Sequence, residues 1–207
     1  MLFRFSHNNA PNFDWSSKIK PKIILASSSP FRKSLLERLD LAFSCESPNI
    51  DETQKDNENI EVYVERLAEE KAGHVALNHE NAIIIGSDQS LECDGKILGK
   101  PGNHENAVKQ LSKMSGKSLI FYTGLCVLNT VTEEKEKAVI PFQVNFRELS
   151  EIEIENYLQK EQPYQCAGSF MSEKLGVSLL SGMKGDDPTA LIGLPLIRLC
   201  EMLRNQG

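Results

Sequence analysis

Ala82-Ile83-Ile84-Ile85 places three β-branched residues in succession with no polar residue among them, and no other stretch narrows the choice of fold as far. A strand with one face in water alternates apolar and polar side chains, whereas a strand without alternation is covered on both faces. The run continues through Gly86 and Ser87 to Asp88, so the strand is expected to be central and to end in an acid. A second apolar run, Ile23-Ile24-Leu25-Ala26, is closed by Ser27-Ser28-Ser29-Pro30, and Leu35, Leu36 and Leu39 then recur at helical spacing. That reads as strand, loop, helix. Ala42 to Glu46 reads as a strand, and Ile60 to Leu77 as a long amphipathic helix. Asp94-Gly95 marks a hairpin between Leu91–Cys93 and Lys96–Leu98. Asn103 to Met114 is helical. Ser118 to Leu128 and Lys137 to Phe146 are strands joined through the polar stretch Asn129 to Glu136. Ser150 and Glu153 form a capping-box pattern for a helix to Gln159, and Pro195 opens a last helix toward Arg204. Helices interleaved with strands and hairpins predict an α/β fold whose mixed central β-sheet is flanked by helices.

With 207 residues, 40% of them hydrophobic, the chain suits one domain, or one domain with a small second lobe. Residues 21–207 are assigned to it. Residues 1–20 hold Asn, Ser and Pro with isolated aromatics and read as a mobile N-terminal extension without a secretion signal. A formal charge of −6 argues against a nucleic-acid or membrane partner, which concentrated Lys and Arg would attract. No run approaches the roughly 20 apolar residues of a membrane span. The five cysteines are scattered without a C-x-x-C pair, and the four histidines lack metal-ligand spacing, so reduced thiols in a cytoplasmic protein are expected.

Several residues run against their local setting. Ser29 should cap the first helix with Pro30 at its first position, which leaves free backbone N–H groups that attract anions. Yet Arg32 and Lys33 occupy the first turn, where the helix dipole disfavours cations by roughly 0.3–1 kcal/mol each. An anionic ligand resolves the conflict; a solvated basic pair is the alternative. Lys71 falls near the centre of the apolar face formed by Ile60, Val64, Leu67, Ala68 and Val75. It must snorkel, pair with an acid or meet a phosphate, because an unpaired buried ammonium is unfavourable by several kcal/mol. Asp88 could hold a divalent cation, accept a proton from water, or merely cap a turn. Glu52, beside Asp51, could complete a metal site or be a solvated acid. Lys100 sits in Leu98-Gly99-Lys100-Pro101, an extended segment where Gly99 permits close backbone approach. Three cations and two acids at chain breaks and strand ends make up the inventory of metal-assisted phosphoryl chemistry.

Motifs along the chain resemble the Maf family of nucleotide pyrophosphatases. They are Leu25-Ala-Ser-Ser-Ser-Pro-Phe-Arg32, Asp51-Glu-Thr53, Ala68-Glu-Glu-Lys-Ala72, Ile85-Gly-Ser-Asp-Gln89, Gly99-Lys-Pro101, Phe121-Tyr-Thr-Gly124, Ala167-Gly-Ser-Phe170 and Gly193-Leu-Pro195. The resemblance implies a sheet with a cleft, and it spans about Pro21 to Arg204. At the three positions that the family uses for base selection this chain has Phe31, Gln89 and Glu173, a combination most similar to the branch acting on 7-methyl-GTP. A cationic methylated guanine can stack on Phe31, Glu173 is an acceptor for N1–H and the exocyclic amine, and Gln89 offers both a donor and an acceptor. Phe31, four residues before Leu35, is also spaced to pack into the core. Lys33 stands where a second Arg is frequent, and lacks its bidentate fork.

The resemblance implies hydrolysis of a nucleoside triphosphate to the monophosphate and pyrophosphate, with 7-methyl-GTP as substrate. Glu52 and Asp88 would hold Mg²⁺ or Mn²⁺, Arg32, Lys71, Lys100 and Ser27 would contact phosphates, and Asp88 would accept the proton of the attacking water. A homodimer is compatible with it. A broader modified-purine pyrophosphatase and a nucleotide-binding regulator of cell division are the alternatives.

Overall fold

The computed structural model of the chain describes residues 21–206; the extension read in residues 1–20 lies outside the described residues. Seven strands form one mixed sheet: β1 (Lys22–Leu25), β2 (Phe43–Cys45), β3 (Ala82–Cys93), β4 (Lys96–Leu98), β5 (Ser118–Asn129), β6 (Lys135–Phe146) and β7 (Leu180–Lys184). Their order is β2-β1-β3-β5-β6-β7, with β4 also paired to β3. β1 runs parallel to β2 and β3, and every other pairing is antiparallel. Five helices flank the sheet: α1 (Pro30–Glu37), α2 (Ile60–Ala76), α3 (His104–Met114), α4 (Glu151–Glu161) and α5 (Leu196–Asn205). The α/β expectation holds.

The unalternating run is covered on both faces. Ile83 and Ile85 meet Leu35 and Leu36 of α1 and Leu199, Met202 and Leu203 of α5, while Ile84 meets Ala68, Ala72 and Val75 of α2. Burying each such side chain stabilises by roughly 1.5–3 kcal/mol. At the far end of the sheet Leu91, Phe121, Phe142 and Val144 pack under α3 and α4. Caps appear where side chains and spacing called for them. The Ser29 hydroxyl accepts from Arg32 N, and Ser150 with Glu153 completes a capping box.

One expectation needs correcting. β3 does not end at Asp88 but continues to Cys93. What ends is its partner: β1 pairs with β3 only through Ile85, and β4 joins only at Leu91, while β5 pairs across the whole interval. From Gly86 to Ser90 one edge of β3 is therefore open. The apolar pattern stops there because this edge lines a cleft, and the backbone carries on because β5 still supplies its hydrogen bonds. The stretch between α4 and α5 had no legible period. It holds three short 3₁₀ turns, at Ala167–Ser169, Leu175–Leu179 and Ala190–Ile192, together with β7.

Candidate active site

A cleft of about 530 Å³ opens beside that unpaired edge, within the size range of small-molecule sites. Ser27, Phe31, Arg32, Glu52, Lys71, Asp88, Gln89, Lys100 and Glu173 all line it. The structure thus brings together the residues assigned to phosphate, metal and base. Lys33 goes elsewhere: it is exposed, with Nζ 3.9 Å from Glu37 Oε1 one helical turn away. Of the basic pair in the first turn of α1, only Arg32 enters the cleft.

Two glycines set the depth of α2. A Cβ on Gly86 would lie 2.1 Å from the Ala68 carbonyl oxygen, and one on Gly124 would lie 2.1 Å from that of Val64. Without side chains there, the helix backbone rests on the sheet, and Lys71 reaches the cleft floor. Lys71 is 5% exposed; its Nζ donates to Asp88 Oδ1 at 2.6 Å and lies 2.8 Å from Glu52 Oε1. Of the three fates open to a lysine on an apolar face, pairing with acids is the one adopted. Burial by itself would raise the Glu52 carboxyl, but the Lys71 hydrogen bond and the charges of Lys71, Lys100 and Arg32 hold it below the usual range. Arg32 donates from Nε to the Gly193 carbonyl at 2.8 Å and from Nη1 to Ser27 Oγ at 3.5 Å. Burial lowers its pKa against the pull of Asp88 and Glu52, and a guanidinium still stays charged at any working pH. Lys100 is exposed on the rim. Three cations and two acids converge, an imbalance that suits a polyphosphate.

Residues that the sequence did not single out hold this arrangement. Tyr63 Oη donates to the Glu52 carbonyl at 3.0 Å. Arg66 binds Glu58 through Nε at 2.6 Å and Nη2 at 2.7 Å, and also donates from Nη2 to the Thr53 carbonyl at 3.1 Å. Together they tie the loop carrying Glu52 to α2. Their signal was present as Tyr63 and Arg66, three residues apart on the polar side of the helix. Burial and the nearby Asp88 and Glu52 charges raise the Tyr63 phenol.

Strand alternation gives neighbouring β3 residues opposite partners. Asp88 turns toward α2, whereas the single hydroxyl proton of Ser87 is shared between the carbonyls of Gly124 and Gly193, and Gln89 donates from Nε2 to those of Ala190 at 2.7 Å and Leu191 at 2.9 Å. Gln89 thus lines the cleft with its amide nitrogen engaged by the protein's own carbonyls. Phe31 lines the cleft and belongs to none of the apolar clusters, so the core alternative falls. Glu173 is exposed on the same cleft, with Ser172 Oγ 3.5 Å away.

Among the described residues no three His, Cys, Asp or Glu side chains converge as a metal cage. Glu52 and Asp88 are two carboxylates sharing one ammonium. That donor set fits a Mg²⁺-like ion, which keeps several waters and binds through one or two carboxylates together with substrate phosphates.

Residues 22–206 match the family model described as Maf-like protein. A 7-methyl-GTP pyrophosphatase of Methylobacillus flagellatus is 56% identical over 187 residues, covering 90% of this chain and 97% of that one. One of Colwellia psychrerythraea is 55% identical, covering 89% and 92%, and one of Nitrosococcus oceani is 54% identical, covering 92% and 96%.

Proposed function

The chain belongs to the Maf family, and on that premise we propose that it is a cytoplasmic enzyme hydrolysing 7-methyl-GTP to 7-methyl-GMP and pyrophosphate. The observation that carries this reading is the meeting of Arg32, Lys71, Lys100, Glu52 and Asp88 in one cleft with Phe31, Gln89 and Glu173. Relatives similar over most of their length carry the same activity in their names. No described helix is long and apolar enough to cross a membrane.

The triphosphate lies along the cationic floor, where Arg32, Lys71 and Lys100 offset its charge. Ser27 adds its hydroxyl as a further donor, beside the positive end of the α1 dipole. Glu52 and Asp88 would hold a divalent ion, Mg²⁺ or Mn²⁺, which would polarise phosphate oxygens and stabilise the leaving pyrophosphate. Asp88 accepts the proton of a water attacking the α-phosphorus, and Lys71, hydrogen-bonded to it at 2.6 Å, keeps that carboxylate oriented. At the other end Phe31 offers a ring face to the cationic base. Glu173 supplies a carboxylate to its N–H edge and complements its positive charge.

Pyrophosphate release from a panel of canonical and modified triphosphates, with Mg²⁺ or Mn²⁺, tests the reading. We expect 7-methyl-GTP to be hydrolysed with the highest kcat/KM, and Asp88→Asn to lower its kcat by about 100-fold or more. Near-normal turnover by Asp88→Asn removes that residue from its role. Equal turnover of several modified purines replaces the substrate assignment with a broader clearing activity.

A further inference from the structure

We propose that Thr123 is a positioning residue that fixes which end of the Gln89 amide faces the cleft, so that position 89 acts as an acceptor toward the base. This rests on the base-binding role of Gln89 in the function proposed above.

Thr123 is fully buried in β5 and stands opposite Gln89 in the sheet register. Its hydroxyl has one proton, donated to the Ala190 carbonyl at 2.8 Å. Toward Gln89 Nε2, 3.3 Å away, that oxygen can therefore offer only a lone pair. The Ala190 and Leu191 carbonyls, 2.7 and 2.9 Å from the same nitrogen, can also only accept. Three acceptors surround one end of an amide that carries two N–H groups at one terminus and none at the other. Inverting the amide would press its oxygen against three oxygens and take from the Leu191 carbonyl its Gln89 donor, so the nitrogen stays inward. Outward, Gln89 shows Oε1.

Glu173, an acceptor-only carboxylate when ionised, lines the same cleft. Two acceptors suit a base edge with adjacent donors. Guanine has that edge in N1–H and the 2-amino group, whereas adenine turns a lone pair at N1. A positive charge in the ring, as N7 methylation creates, strengthens the N1–H donor.

Edge recognition is read apart from methylation by the ratio of kcat/KM for GTP over ATP. Thr123→Val keeps the side-chain volume but removes both hydrogen bonds, and should lower this ratio about fivefold, the worth of one neutral hydrogen bond. Thr123→Ser restores the hydroxyl and should return the ratio to within about twofold of the parent. Equal loss on both nucleotides in Thr123→Val, with the ratio intact, overturns the proposal and leaves Thr123 a packing role. A parent protein inactive on 7-methyl-GTP that still turns over GTP and ATP retires the substrate assignment, while the ratio still tests Thr123. The side-chain amide of Gln89, identified by NMR through its loss in Gln89→Met, decides the matter if Thr123→Val does not fold or GTP and ATP are not turned over. We expect its protons to exchange with solvent at least about tenfold more slowly than those of exposed glutamines. Exchange at the exposed rate overturns the proposal.

Discussion

A lysine on the apolar face of a helix was the most informative single residue in the chain. Lys71 could not be left without a partner in that position, and the structure resolves the conflict with Asp88 and Glu52. The pair Arg66 and Glu58 was harder to read, because charges on a polar helix face and in a polar loop look like ordinary surface. Its geometry is bidentate, and the two side chains are only 13% and 4% exposed. The Arg66 hydrogen bonds hold the Glu58 carboxyl down from its ordinary value near 4.5 to about 2. A depressed carboxyl stabilises the folded chain above its unfolded pKa and loses that contribution as pH falls through the folded one. Glu58→Gln should therefore lower stability by roughly 1.5–3 kcal/mol at pH 7. Urea unfolding across a pH series should show the gap to the parent shrinking below about pH 4.5 and closing near pH 2.

Among the elements, α2 depends on what the sheet lacks. Gly86 and Gly124 admit the helix backbone, and the helix in turn delivers Lys71 to Asp88. In Gly124→Ala the new methyl would face the Val64 carbonyl, which belongs to a backbone that cannot rotate away. Thermal unfolding should show a loss of roughly 1–3 kcal/mol, and kcat should fall with it, because the displaced helix lifts Lys71 from the acids. Most helices and strands were legible: the Asp94-Gly95 hairpin, the cap at Ser29 and the box at Ser150 each carry their own local chemistry. The continuation of β3 beyond Asp88 was not, since its hydrogen bonds come from a strand some forty residues later and leave no mark on local polarity. The turn at Ala190–Ile192 was hidden likewise. Its carbonyls matter through Gln89 and Thr123, and a carbonyl is the same in every residue.

For the molecule as a whole, the site is assembled from α1, the loop before α2, α2 itself, β3, the segment after β4 and the segment after α4. Sequence could supply its members but not their distances. The ion binding proposed above would also be a property of the assembly, since two carboxylates that share one ammonium are a weak cage until phosphate oxygens arrive. Mg²⁺ alone should leave the melting temperature nearly unchanged, while Mg²⁺ with a non-hydrolysable 7-methyl-GTP analogue should raise it, by an amount that grows with analogue concentration. Differential scanning fluorimetry checks both. The open edge of β3 has a consequence for how such a protein can change. Both banks of the cleft are moored to one strand, and successive residues along it turn to opposite sides, Asp88 to Lys71 and Gln89 to the Ala190 carbonyl. Inserting a single residue there exchanges inside for outside and turns Asp88 away from Lys71. The aperture is therefore quantised in pairs of residues, and a lineage adapting to a larger nucleotide must reshape the surrounding loops while that strand keeps its parity.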